Sequence, residues 1–97
     1  MSLKVVLTHL AEYDLMNAGD WYQERAGGGF KFASRVREAL EQVGAMPEIH
    51  PVVHADVRRG RIRGYPYLFY YRVRTDRVEV IAILHGRRSD DAWEARL

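Results

Sequence analysis

Four arginines, Arg58, Arg59, Arg61 and Arg63, crowd a six-position stretch of this chain. On a strand, Arg59, Arg61 and Arg63 share one face and Arg58 points to the other. Like charges on one face repel one another and invite an anion, and the planar guanidinium pairs with carboxylate or phosphate in two-pronged fashion. A second group, His85-Gly86-Arg87-Arg88, stands at the exit of an apolar run and is followed by Trp93. A histidine and two arginines where a buried strand surfaces suit acid–base or phosphate chemistry. The same residues also suit a plain turn, with Gly86 freeing the backbone and the arginines pairing with Asp90 and Asp91.

Other templates fit less well. Gly27-Gly28-Gly29 has neither the lysine nor the preceding strand of a phosphate-binding loop, and reads as the end of a helix. His50 and His54 are spaced for one helix face, but Pro51 lies between them and no third ligand is near, so no metal and no cofactor are expected. Ser2, Ser34 and Ser89 lack the strand–turn–helix setting of a nucleophile, and Ser89 reads as a helix cap. The chain has no cysteine, which excludes disulfides, thiol catalysis and cysteine-held zinc. Tyr67, Phe69, Tyr71 and Val73 alternate with Leu68, Tyr70 and Arg72. Exposed rings of this kind stack on bases, but core packing is the expected fate of so aromatic a strand.

The charge is unevenly placed. Fifteen Lys+Arg against thirteen Asp+Glu give +2. Residues 1–50 carry five bases and seven acids, and residues 51–97 carry ten bases, all arginine, and six acids. The second half is therefore suited to an anionic partner, a nucleic acid or an acidic protein segment.

These groups need a scaffold. Leu3–Thr8 reads as a strand and Thr8 as the N-cap of a helix with Ala11, Leu15, Ala18 and Tyr22 on one stripe. The three glycines end it, and Phe32, Val36, Leu40 and Val43 mark a second helix stopping at Gly44. So short a link makes an antiparallel helical hairpin. Residues 47–55 read as a connector, since Pro47 and Pro51 forbid a long helix. Strands follow over 56–63, 67–73 and 78–84, the last apolar enough to be central. The turn Arg74-Thr75-Asp76-Arg77 makes the last two antiparallel. A short C-terminal helix is expected after Ser89-Asp90-Asp91. The fold class is α+β, β-α-α-β-β-β, with the hairpin packed on a mostly antiparallel sheet. The 97 residues make one domain, 1–97. The longest apolar runs, Tyr67–Tyr71 and Val80–Leu84, are far too short to span a membrane, and Lys4 and His9 break any leader-like stretch. A cytoplasmic protein is expected.

Trp21-Tyr22, the run Tyr67–Val73, and Val80–Leu84 followed by His85-Gly86-Arg87-Arg88 and Trp93 together resemble the ParE branch of the RelE/ParE toxin superfamily. The element order matches along essentially the whole chain. The resemblance implies a plasmid-stabilisation type of toxin from a type II toxin–antitoxin pair, held inactive by a cognate antitoxin in a hetero-oligomer. For the ParE branch it implies inhibition of DNA gyrase without a nuclease site; for the RelE branch, cleavage of mRNA on the ribosome. Tyr67 stands where RelE proteins carry an arginine, and Trp93 where they carry a tyrosine. Indole is no general acid or base. A nuclease would thus depend on Arg61, His85, Arg87 and Arg88. The residues expected to bind target or antitoxin are Arg58, Arg59, Arg61, Arg63, Arg87, Arg88 and Trp93. A decayed toxin that only binds its antitoxin is the third possibility.

Overall fold

The computed structural model of the chain describes residues 2–88 and 92–97. Strand β1 (Lys4–Leu7) leads through Thr8 into α1 (His9–Ala26), and the Thr8 hydroxyl accepts the Ala11 N–H at 3.2 Å as an N-cap should. Gly27 closes α1 in the left-handed region at φ 65°, where a Cβ would be strained, and α2 (Gly29–Ala45) returns antiparallel.

Beyond α2 come β2 (Val52–His54), β3 (Val57–Arg61), β4 (Tyr67–Val73) and β5 (Arg77–His85). The sheet order is β1-β5-β4-β3-β2, with β1 parallel to β5 and every other pair antiparallel. As the apolar run predicts, β5 is internal, lying between β1 and β4.

Cross-strand register decides which face each residue takes. Ala11, Ala18, Phe32, Val36 and Val43 of the helices meet Ile62, Phe69, Tyr71, Val78, Val80 and Ile83 in one core. The opposite face holds a second core of Val57, Tyr70, Ile81, Ala82, Leu84 and Trp93, to which the helices contribute nothing. A register shift of the β4–β5 ladder between Tyr70 and Tyr71 turns both Ile81 and Ala82 toward that second core. The alternating aromatic strand is core on both faces: Phe69, Tyr70 and Tyr71 are all 0% exposed.

Three features differ from the sequence expectation. Residues 52–54 form a strand rather than an irregular connector, because Ala55 at φ 52° and Asp56 make a turn that returns the chain onto β3. The arginine strand stops at Arg61, and Arg63 belongs to the turn that Gly64 completes at φ 83°. The described tail holds single-turn 3₁₀ segments, Gly86–Arg88 and Glu94–Arg96, not a regular helix. The expected cap Ser89-Asp90-Asp91 lies outside the described residues.

Candidate functional site

The ten arginines of residues 51–97 divide into two sets of five. Arg72 meets Asp56 at 3.0 Å, Arg74 reaches Asp56 at 3.7 Å and Glu79 at 3.6 Å, and Arg77 reaches Asp76 at 2.9 Å and Glu79 at 3.5 Å. These three cluster at the β4–β5 turn, where the register sets Arg72 opposite Glu79. Arg72 also holds the Asp56 carboxyl below its ordinary value by hydrogen bonding to it. Arg58 donates to the His50 carbonyl at 2.8 Å and the Glu48 carbonyl at 3.3 Å, so it fastens the connector rather than waiting for a ligand. Arg96 is bound to Asp14 at 2.6 Å.

Among the described residues, Arg59, Arg61, Arg63, Arg87 and Arg88 make no ion pair, and all five are exposed. Arg59 lies mid-sheet opposite Tyr70, and the other four gather toward the other end of the sheet. Arg61 lies opposite Leu68 and Leu68 opposite Leu84, while Arg87 and Arg88 follow directly on β5. One small cleft of about 300 Å³ brings Arg61 and Arg87 together with His85, Pro66, Leu68 and Gly86. The sheet thus has one neutralised end and one cationic end.

Aromatic packing fixes the cationic end in place. Tyr65, in the β3–β4 turn, sits edge-on to Tyr22 and to Phe32 at 5.0 Å from each, and Tyr22 stacks on Phe32 at 5.1 Å. Tyr67 joins the cluster at 5.3 Å from Phe32 and touches His85 at 5.4 Å. Such ring pairs each add about 0.5–1.5 kcal/mol beyond the area they bury. Within the exit turn, the Arg87 N–H donates to His85 Nδ1 at 3.1 Å, which leaves Nε2 as the donor nitrogen of that ring. Gly86 N–H donates to the Pro66 carbonyl at 2.8 Å, tying the β5 exit to the β4 entrance.

A larger cleft of about 490 Å³ lies between α1 and this end of the sheet. Trp21, Tyr22, Tyr67 and Ile83 supply its apolar wall, Asp14 and Asn17 lie on its α1 side, and His85, Arg87 and Arg88 form its cationic rim. Burial raises the Tyr67 phenol above its ordinary 10.0, with Arg88 pulling the other way, and burial likewise raises Tyr22. Both phenols keep their protons at neutral pH and cannot serve as bases there. Trp93 is 5% exposed and stacks on Tyr70 at 5.0 Å and 16°. Its indole therefore pins the tail to the sheet, whereas the sequence suggests a contact residue. No cluster of metal-ligating side chains occurs among the described residues.

Asp14 is the residue that sequence reasoning overlooks. It is 8% exposed, the one charged side chain in the described core, and its Oδ2 accepts the Ile83 N–H at 3.0 Å. Arg96 donates to both its oxygens, at 2.6 Å and 3.1 Å, and also to the Ile81 carbonyl at 2.9 Å. β1 ends at Leu7 opposite Val80, so beyond that point β5 has no strand on this side. An aspartate and an arginine satisfy its backbone instead.

The chain matches the family model described as ParE toxin of type II toxin–antitoxin system, parDE, over residues 5–90. Among solved structures it is similar to a chain of the chromosomal ParDE toxin–antitoxin system from P. aeruginosa. The TM-score is 0.65 and identity is 21%, over 87% of this chain and 96% of that one. No curated protein gives a significant match. The helical hairpin, the five-stranded sheet and the family match over most of its length agree: the chain belongs to the ParE toxin family of type II toxin–antitoxin systems.

Proposed function

We propose that this toxin acts in the cytoplasm by binding rather than by catalysis: it inhibits DNA gyrase through the cationic end of its sheet, and a cognate antitoxin neutralises it as a hetero-oligomer. One observation carries the reading. Five arginines are neutralised inside the fold, while Arg59, Arg61, Arg63, Arg87 and Arg88 are exposed with no ion pair among the described residues. Exposed guanidiniums that the fold does not neutralise suit a partner's carboxylates or phosphates. Tyr67 and Tyr22 keep their protons and cannot act as bases, and Trp93 is buried, which supports binding over base catalysis. In a supercoiling assay, purified toxin should block gyrase or trap cleaved DNA. Gyrase indifferent to it over a wide concentration range sinks the proposal.

A ribosome-dependent ribonuclease is the second reading, favoured by the cleft in which Arg61, His85 and Arg87 meet. Primer extension on translating mRNA decides it: codon-phased cuts support the nuclease, and their absence removes it. Normal growth on induction without the antitoxin would instead mark a decayed toxin.

A further inference from the structure

The face of the sheet turned away from the helical hairpin carries its own row of cations. Register sets Arg59 opposite Tyr70 and Arg61 opposite Leu68, and Tyr70 and Leu68 belong to the second core, so both arginines stand on that face. Arg58 and Gly60 take the other face, opposite Tyr71 and Phe69 of the first core. Two residues apart on an antiparallel strand, Arg59 and Arg61 are separated by about 6.8 Å at the backbone. Arg63 continues the row in the turn beyond β3. Arg87 meets Arg61 across the small cleft, whose other lining residues, Pro66, Leu68, His85 and Gly86, include no acid. Among the described residues none of these four arginines makes an ion pair. Asp56, Asp76 and Glu79, which neutralise Arg72, Arg74 and Arg77, stand at the opposite end of the sheet.

The surroundings of the row select its partner. A protein interface concentrates its energy on apolar and aromatic anchors, at a centre depleted of charge. The exposed large apolar side chains of the described residues lie on α1, α2, the connector, β2 and the last residue, and none lies on β3, β4 or β5. A single strand of RNA needs exposed rings on which its bases can stack. Tyr70 and Trp93, the rings beside the arginine row, stack on each other at 5.0 Å and are 0% and 5% exposed. Guanidiniums without an apolar anchor or a stacking platform suit the repeating phosphates of a duplex, bound without regard to sequence. We propose that Arg59, Arg61, Arg63 and Arg87 hold the phosphate backbone of duplex DNA, so that the toxin engages the DNA on which gyrase acts rather than carboxylates of gyrase. This inference rests on the reading of the cationic end as the inhibitory surface.

The test is the fluorescence anisotropy of a short labelled DNA duplex, titrated with full-length toxin at several salt concentrations. Each phosphate neutralised contributes about −0.9 to the slope of log K against log salt. Four arginines give a slope of about −3.6, and Arg59→Ala with Arg61→Ala should make it shallower by about 1.8 and weaken binding at low salt by about tenfold or more. Arg74→Ala, at the neutralised end, should bind the duplex as the unaltered toxin does, and unfolding curves verify that each variant is folded. A duplex left unbound at low salt, a slope that the double variant does not change, or tighter binding of a single-stranded RNA of the same length overturns the proposal. The supercoiling assay separates that failure from failure of the functional reading. If the double variant loses inhibition although the toxin leaves the duplex unbound, the arginines meet gyrase itself, and the reading stands without the proposal. Gyrase that ignores the unaltered toxin overturns the reading, and the hold of the arginine row on duplex DNA is then judged by the slope alone.

Discussion

Replacing Arg96 with methionine removes the guanidinium that Asp14 faces while keeping much of the aliphatic stem. The carboxylate left behind is 7% exposed at its side chain, and its former partner is 16% exposed, so water cannot readily replace the lost bonds. Breaking a buried ion pair from one side costs about 3–5 kcal/mol. Asp14 keeps the Ile83 N–H, which moderates the loss, and the expected destabilisation is therefore at the lower end, about 3 kcal/mol. For a domain of this size that corresponds to a fall in Tm of about 12 °C or more. Urea denaturation at constant m gives the value. Asp14→Asn combined with Arg96→Met should recover part of the loss, since no unpaired charge stays buried, and the two sites should couple by about 0.5–3 kcal/mol in a double-mutant cycle. A single-variant cost below about 1 kcal/mol, the scale of a surface pair, would refute the clasp and mean that the tail is not fastened to α1.

Three further predictions concern packing and the pH dependence of stability. Gly60→Ala would place a Cβ 2.4 Å from Phe69 Cζ and 2.8 Å from His50 Cδ2; Phe69 is fully buried and cannot withdraw, so overpacking should cost about 3 kcal/mol in thermal unfolding. A cost under about 0.5 kcal/mol would mean that the ring is mobile. Burial lowers the His50 pKa below its ordinary 6.5, so the unfolded chain binds the proton more readily than the folded one. Stability should be complete above pH 6.5 and decline as the pH falls below it, and His50→Leu should flatten that slope. A further decline is expected below about pH 4, where Asp56, whose pKa Arg72 lowers, takes up its proton.

Most of the scaffold is legible along the chain because its signals are local. Thr8 caps, Gly27 terminates, and the four-residue turn from Arg74 to Arg77 forces β4 and β5 together. Even so, β2 is too short to show a period, and it depends on a left-handed Ala55 that its residue type does not announce. The candidate site was half visible. Arg61, Arg63, Arg87 and Arg88 stand out by type, but which arginines the fold neutralises is decided by cross-strand register and by partners as distant as Asp14 and Arg96, 82 residues apart. Trp93 is expected among the binding residues because nothing nearby in sequence reveals Tyr70 beneath it. Asp14 carried one faint signal: it lies between Ala11 and Ala18 on the buried side of α1, a place where a carboxylate needs a partner.

The central claim is that the cationic end of the sheet is the inhibitory surface. It is tested by comparing Arg87→Glu/Arg88→Glu toxin with Arg74→Glu toxin in the gyrase supercoiling assay, with folding verified by unfolding curves. The exposed pair makes no ion pair with any described residue, so its reversal should leave stability within about 0.5 kcal/mol and reduce inhibition by about tenfold or more. Arg74→Glu, at the neutralised end, should lower stability modestly and inhibit as the unaltered toxin does. Full inhibition by folded Arg87→Glu/Arg88→Glu toxin would contradict the account.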